Sequence, residues 1–303
     1  MPTLQALPTI FLLALTISGC TTLRNTQNIS IGAGSFMFQQ KGLNYNRPIT
    51  VLTYRPKNYN QNSPVLFVIH GASRAAEGYH AVWSPIAEQY NALLVVPYFA
   101  KDAGFPSSDQ FNLGNVFQLD SLDQILATNP EPDWSYSLIE PLFDAVCKKT
   151  GNRSREYCIY GHSAGSQFLH RFLFFKEKNR VKRAVCANAG WYTMPDDQTR
   201  FPYGFAGTFL GDANLRAAFG KRVTVLLGEA DTITTGASLR QSPEAMRQGQ
   251  HRFERGHSFF DYCQQLAAAK NLPFNWDLKT VPGAGHSNEQ MAEKAGAILF
   301  SKD

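Results

Sequence analysis

The chain has 303 residues, of which 44 % are hydrophobic and 17 % are charged, and its formal net charge is +5. This apolar content is sufficient for a large hydrophobic core, which excludes an intrinsically disordered chain. The basic string "KEKNRVKR" is expected to be a solvated helix end rather than a nucleic-acid-binding surface, because no nucleic-acid-binding motif accompanies it. The composition leaves the oligomeric state open.

The first twenty residues form a segment distinct from the rest of the chain. The apolar run "IFLLALTIS" is too short to span a bilayer, and "ISGC" follows it. This arrangement resembles a bacterial lipoprotein signal, which implies a signal peptide over 1–19 and acyl chains on Cys20. An exported protein of the bacterial envelope, anchored in a lipid bilayer by Cys20, is then expected, with a polar tether over 20–34. The leading "MPTLQALP" departs from the pattern because it has no Lys or Arg, so a plain cleaved signal, giving a secreted or periplasmic protein, and a non-exported segment stay open.

Residues 35–303 are expected to form one α/β domain. Apolar strand-like runs alternate with helical stretches and no linker interrupts them, which predicts a doubly wound, mostly parallel sheet with helices on both faces. The predicted strands are 35–40, 49–55, 65–69, 92–96, 157–160, 182–187, 223–227 and 274–281. The clearest predicted helices lie near 80–90, 135–148, 164–178, 254–270 and 287–300. The connections 98–133 and 190–220 are long and irregular, as loops that carry specificity often are.

The stretch "YCIYGHSAGSQFLHRFLFF" carries the strongest functional motif. An apolar strand is followed by GHSAG and then by apolar residues at helical spacing. Gly161 and Gly165 permit a sharp turn between strand and helix, which leaves the Ser163 hydroxyl at the tip. This combination resembles the nucleophile elbow of the α/β-hydrolase family, a likeness that extends over roughly residues 35–300. It implies that a catalytic acid and then a histidine follow Ser163 along the chain.

Asp231 is the predicted acid. It follows the buried strand 223–227 in the string Gly-Glu-Ala-Asp, where the family pattern has its carboxylate. Glu229 remains an alternative, because the loop could present either side chain.

His286 is the predicted base. It lies in a Pro-Gly-Ala-Gly loop after the alternating strand near 274–281. His257 occupies a second Gly-His-Ser string, but helix-spaced residues follow it, so it is expected to be a structural residue at a helix start. Ser287 and Gln290 have the spacing of a capping box for the last helix.

The resemblance also implies an oxyanion hole. One donor is the Ala164 amide at the start of the helix, and the other is the Ala72 amide in the "HGAS" string after the strand 65–69. His70 in the same string is expected to hold the loop by hydrogen bonding. The aromatic loop after 190 offers a substrate pocket that includes Trp191 and Tyr192, and packing of the same side chains onto the body of the domain is the open alternative.

These observations predict a serine hydrolase that cleaves short to medium carboxylic esters. The "VIHGASRAAEGYH" and GHSAG strings are similar to those of the polyhydroxybutyrate-depolymerase and feruloyl-esterase-like branch, and they do not distinguish a polymer from a small ester. Two alternatives stay open, an exported serine peptidase and a lipoprotein that uses a disused site for binding. No metal or cofactor motif is present in the sequence, so neither is expected. Four cysteines besides Cys20 permit disulfides in three pairings, and the sequence does not select one: Cys147, Cys158, Cys186 and Cys263.

Overall fold

The computed structural model describes residues 28–39, 48–236 and 238–301. The predicted signal peptide, Cys20 and most of the predicted tether lie outside the described residues. The last three residues of the predicted tether, 32–34, belong to the first strand and pair with the second. The strand that was predicted from residue 35 therefore begins at Gly32.

The described residues form ten strands and seven α-helices. The strands are β1 Gly32–Phe38, β2 Ile49–Arg55, β3 Val65–Ile69, β4 Leu93–Pro97, β5 Phe117–Leu119, β6 Ile125–Thr128, β7 Tyr157–His162, β8 Val181–Ala187, β9 Arg222–Gly228 and β10 Trp276–Val281. The helices are α1 Ala76–Gln89, α2 Ile139–Thr150, α3 Ala164–Phe175, α4 Asp212–Phe219, α5 Pro243–Gln248, α6 Arg252–Ala269 and α7 Asn288–Leu299. Short 3-10 turns cover Lys101–Ala103, Glu131–Asp133 and Ser135–Leu138.

Eight strands form one sheet in the order β1-β2-β4-β3-β7-β8-β9-β10. β2 pairs antiparallel with both of its neighbours, and the pairs from β4 to β10 are parallel. Every residue of β3 and β4 is buried, as expected for central strands covered on both faces. The predicted doubly wound, mostly parallel sheet is confirmed.

Helices cover both faces of the sheet. In β3, Val65, Phe67 and Ile69 contribute to the core beneath α2, α3 and α6, whereas Leu66 and Val68 contribute to the core beneath α1 and α7. This alternation follows from the two-residue repeat of a strand. The carboxyl ends of β3, β7, β9 and β10 consequently open on one edge of the sheet, where the loops with the predicted functional residues meet.

The structure corrects several predicted boundaries. α3 ends at Phe175 rather than near 178, because the Asn179 side chain caps the Lys176 carbonyl and the chain turns toward β8. The basic string 176–183 therefore follows the helix, where Lys176 pairs with Glu131 and Arg180 with Glu140. The first turn of the helix predicted at 135–148 is a 3-10 turn.

The two long connections contain elements that were not predicted. The connection 98–133 includes the antiparallel pair β5 and β6, and the connection 190–220 includes α4. α5 was also missed. These elements are short, and their apolar positions are too few to give a recognisable period.

Candidate active site

Ser163 occupies the turn between β7 and α3 in a sparsely populated backbone conformation, with φ 57° and ψ −119°. The turn requires two glycines because backbone atoms lie against both. A Cβ on Gly161 would lie 2.2 Å from the Gly165 carbonyl oxygen, and one on Gly165 would lie 2.1 Å from the Ile69 carbonyl oxygen. A strained residue held in this way is typical of a functional site.

Ser163, His286 and Asp231 form a continuous hydrogen-bond chain. Ser163 Oγ lies 3.0 Å from His286 Nε2, and His286 Nδ1 lies 2.7 Å from Asp231 Oδ2. The Asp231 side chain is fully buried, whereas 23 % of the His286 side chain is exposed. A buried carboxylate thus faces the inner ring nitrogen, and the outer ring nitrogen faces a serine that solvent can reach.

The loop of His286 is held at both ends. The Ala230 amide donates to the Ala284 carbonyl, which ties the loop to the one that carries Asp231. Ser287 Oγ accepts from the Gln290 amide at the start of α7. Gln290 Oε1 accepts from the Gly285 amide and not from that of Ser287, so the predicted capping box is only half formed. The Gln290 side chain instead secures the residue just before His286.

The structure places the two alternative residues away from Ser163. Glu229 is exposed, and its Oε1 accepts a hydrogen bond of 2.7 Å from the Thr280 hydroxyl on β10. His257 lies inside α6, with its ring against Phe253. The prediction that His257 starts this helix is wrong, because α6 begins at Arg252 and the His251 side chain accepts from the Glu254 amide as the N-cap.

The loop after β3 lies directly against the elbow. A Cβ on Gly71 would be 3.6 Å from Ser163 Cβ, so the backbone that leads to Ala72 passes beside the serine. Ala164 is the first residue of α3, where a helix leaves its amide groups without an internal acceptor. Ala164 and Gly71, the residue that precedes Ala72, therefore both lie next to Ser163.

His70 holds this loop in the way that the sequence predicts. Its Nε2 accepts from the Phe99 amide at 3.1 Å, and its Nδ1 lies 3.0 Å from the Gly71 carbonyl oxygen. Burial lowers the pKa of His70 from 6.5 to about 4, so the ring is neutral at neutral pH. A neutral ring with its proton on Nδ1 fits these two contacts, because Nδ1 then donates to the Gly71 carbonyl and Nε2 accepts from the Phe99 amide.

His162, which precedes the serine, supports the predicted base. It is buried, its ring centroid lies 4.8 Å from that of His286, and its Nδ1 lies 2.9 Å from the Tyr79 hydroxyl. Burial, and then the proximity of His286 and Arg252, hold the pKa of His162 well below its ordinary value. The neutral ring therefore provides a flat surface against which His286 packs.

Arg252 is a residue of the site that sequence analysis missed. Its Nη1 lies 3.6 Å from Asp231 Oδ1, and only 4 % of its side chain is exposed. An arginine in the first turn of a helix, among polar residues, is ordinarily expected at the surface. No pattern in the sequence indicates that Arg252 is buried.

The predicted pocket residues are part of the core. Tyr192 has no exposed surface and stacks on Phe259 with ring centroids 4.2 Å apart. Trp191 is 8 % exposed and lies under the Arg171 guanidinium. Tyr192 therefore cannot line an open pocket, and its prediction is wrong, because this loop packs onto the body of the domain.

Other predicted features concern cysteines, metals and membranes. Cys147, Cys158, Cys186 and Cys263 are free thiols. Within the described ranges, no group of three or more His, Cys, Asp or Glu side chains is arranged to bind a metal ion. In the same part of the chain, no helix combines the length and apolar character needed to cross a bilayer.

Comparisons with known proteins identify the family. No protein-family model matches, and no curated protein matches. Among solved structures, poly(aspartic acid) hydrolase-1 from Sphingomonas sp. KT-1 is 40 % identical, with a TM-score of 0.84 over 90 % of this chain and 100 % of its own. A poly(3-hydroxybutyrate) depolymerase from Bordetella parapertussis is 31 % identical, with a TM-score of 0.81 over 89 % of this chain and 90 % of its own. An S-formylglutathione hydrolase from Agrobacterium tumefaciens shares the fold at 14 % identity, with a TM-score of 0.56 over 91 % and 98 % of the two chains. The chain therefore belongs to the α/β-hydrolase superfamily.

Proposed function

We propose that this protein is a serine hydrolase that cleaves carboxylic esters of short to medium acyl chain. The observation that carries the proposal is the hydrogen-bond chain from Ser163 through His286 to Asp231. A serine hydroxyl is a poor nucleophile at neutral pH, and an adjacent neutral imidazole that accepts its proton is the usual means of activating it. Asp231 orients that imidazole through Nδ1 and stabilises its positive charge when Nε2 is protonated.

The reaction has two halves. Ser163 Oγ attacks the acyl carbon and transfers its proton to His286 Nε2. The bond to the leaving oxygen then breaks as His286 returns the proton to that oxygen, which leaves an acyl-enzyme. Water attacks the acyl carbon with the same proton transfers, which releases the acid and restores Ser163. In both halves the Ala72 and Ala164 amides are proposed to donate to the negative oxygen of the tetrahedral intermediate.

The preference for short acyl chains follows from what surrounds Ser163. A long acyl chain gains most of its binding free energy from an enclosed apolar channel. The aromatic side chains that were candidates to build one, Trp191 and Tyr192, are packed in the core. These two side chains therefore do not form such a channel, which supports an acyl site at the open edge of the sheet.

Amide hydrolysis is the second candidate, because one of the similar structures is that of a poly(aspartic acid) hydrolase and poly(aspartic acid) is a polyamide. Ester hydrolysis is preferred because an alkoxide departs with modest help from His286, whereas an amide nitrogen must be protonated to leave. The poly(3-hydroxybutyrate) depolymerase among the relatives acts on a polyester, which supports the ester proposal. A small ester and a polyester are both compatible with the site.

The substrate class is tested with chromogenic substrates on one preparation. We expect kcat/KM for p-nitrophenyl acetate or butyrate to exceed that for p-nitrophenyl palmitate and for a p-nitroanilide by at least about tenfold, which is about 1.4 kcal/mol of transition-state stabilisation. If the p-nitroanilide is cleaved as fast as the butyrate ester, the ester proposal is wrong and amide hydrolysis is favoured instead. A palmitate ester that is cleaved fastest would contradict the open acyl site.

We further propose that the protein is a lipoprotein anchored through acylated Cys20, on the basis of the "ISGC" string after the apolar run. Replacing Cys20 by Ser is expected to move the protein from the membrane fraction to the soluble fraction while ester hydrolysis is retained. This result follows because the acyl chains would be attached outside the catalytic domain. Membrane association and N-terminal acyl mass, measured in the wild type and in Cys20→Ser, test the proposal. A wild-type protein that is soluble without detergent and carries no acyl mass would contradict it.

A further inference from the structure

The two oxygens of the Asp231 carboxylate have different surroundings. Oδ2 lies 2.7 Å from His286 Nδ1, whereas Oδ1 has no hydrogen-bond partner among the described residues. The side chain is fully buried. A buried carboxylate oxygen without a hydrogen bond lowers the stability of the folded protein, because its hydrogen bonds to water are lost on folding and no protein donor replaces them. A nearby positive charge is the usual compensation.

Arg252 brings a positive charge to this oxygen. Its Nη1 lies 3.6 Å from Asp231 Oδ1, and its Nη2 donates to the Ser238 carbonyl at 2.8 Å and lies 3.1 Å from Ser238 Oγ. The Phe253 amide also donates to the Asp231 carbonyl at 3.2 Å. The start of α6 is thus hydrogen-bonded to the main chain of Asp231, and the Arg252 side chain faces the Asp231 carboxylate. Together these contacts fix the guanidinium relative to the carboxylate.

The other titratable groups near Asp231 do not supply this charge. His162 packs against His286 from β7, and its lowered pKa keeps it neutral. Tyr192 is buried beside the acid, and burial raises its pKa, so it is also neutral. Arg255, one turn further along α6, donates to the backbone carbonyls of Gly249, Gly190 and Arg240.

We infer that Arg252 is a positioning residue that holds Oδ1 of the Asp231 carboxylate and so keeps Oδ2 directed toward His286. Among the described residues, its hydrogen bonds and its ion pair go to Ser238 and Asp231 and not to Ser163 or the proposed oxyanion donors, so we expect it to act on the reaction chiefly through Asp231. The inference rests on the proposed function, since it presupposes that Asp231 orients the catalytic base.

A double-mutant cycle between Arg252 and Asp231 tests this inference. Arg252→Gln, Asp231→Asn and the double variant are assayed with p-nitrophenyl butyrate, and thermal melting verifies that each is folded. Arg252→Gln is expected to lower kcat about 30-fold with KM within about twofold. In the Asp231→Asn background the same substitution is expected to change kcat by less than about twofold, because the neutral amide no longer needs a counter-charge.

Two further variants separate positioning from stability. Arg252→Lys keeps the positive charge and is expected to recover most of the kcat that Arg252→Gln loses. If Arg252→Gln fails to fold, Arg252→Lys takes its place in the cycle, with a smaller loss that should likewise vanish beside Asp231→Asn. Arg255→Gln removes a buried guanidinium from the same helix, and its effect on kcat, whatever its size, is expected to be equal in the wild-type and Asp231→Asn backgrounds.

An Arg252→Gln effect that is equally large in both backgrounds would overturn the inference, since Arg252 would then act independently of the acid. A change confined to KM or to melting temperature would overturn it as well. Failure of the proposed function has a different signature, which is a folded wild-type protein that does not hydrolyse p-nitrophenyl butyrate. An Asp231→Asn variant that retains the wild-type kcat would instead show that Asp231 does not orient the catalytic base, which also overturns the inference.

Discussion

Replacing Asp231 by Asn is expected to lower kcat by about three to four orders of magnitude while the protein remains folded. The asparagine fills the same volume, but its amide can donate to His286 Nδ1 where the carboxylate can only accept. The proton is then favoured on Nε2, and a protonated Nε2 cannot accept the proton of Ser163. The measurement is kcat for p-nitrophenyl butyrate, accompanied by a thermal melt.

Glu229→Gln is the matched control for this prediction. Glu229 precedes Asp231 by two residues in the same loop, but it is exposed and bonded to Thr280. Its replacement is expected to change kcat by less than about threefold, as is usual for a surface substitution. A large loss in Glu229→Gln together with a small loss in Asp231→Asn would show that the glutamate is the acid.

Local signals explain why the elbow and the sheet could be predicted. The continuous apolar runs of β3, β7 and β9 reflect burial on both faces, and the two glycines that the turn requires, Gly161 and Gly165, stand in the GHSAG string beside the serine. The position of His286 after a strand similarly indicated a loop at the edge of the sheet. These features are recorded in short stretches of sequence, so they can be recognised without knowledge of the tertiary structure.

The features that could not be predicted depend on contacts between distant parts of the chain. Arg252 is 21 residues from Asp231, and only the return of α6 onto β9 brings the two together. Tyr192 resembled a pocket residue because aromatic side chains suit both a pocket and a core, and the choice depends on Phe259 from α6. The end of α3 was missed for a local reason, because it depends on the Asn179 side-chain cap of the Lys176 carbonyl, which hydrophobic periodicity does not reveal.

Replacing Ser163 by Ala is expected to have the largest effect of any single substitution, a loss of kcat of at least about five orders of magnitude. Alanine removes the attacking oxygen and leaves His286 and Asp231 in place. Ser166→Ala is the matched control, because Ser166 lies one helical turn further along α3 and is fully buried, so substrate cannot reach it. Its activity is expected to stay within about tenfold of the wild type.

The central claim is that Ser163 is a nucleophile activated by His286, and the most direct test is to treat the folded protein with a fluorophosphonate and map the adduct by mass spectrometry. We predict one adduct per chain, on Ser163, which persists in Ser166→Ala, disappears in Ser163→Ala and forms far more slowly in His286→Ala. A folded wild-type protein that remains unlabelled would contradict the account and favour a binding protein that retains the hydrolase fold. An adduct on another residue would contradict it as well, because the activated nucleophile would then not be Ser163.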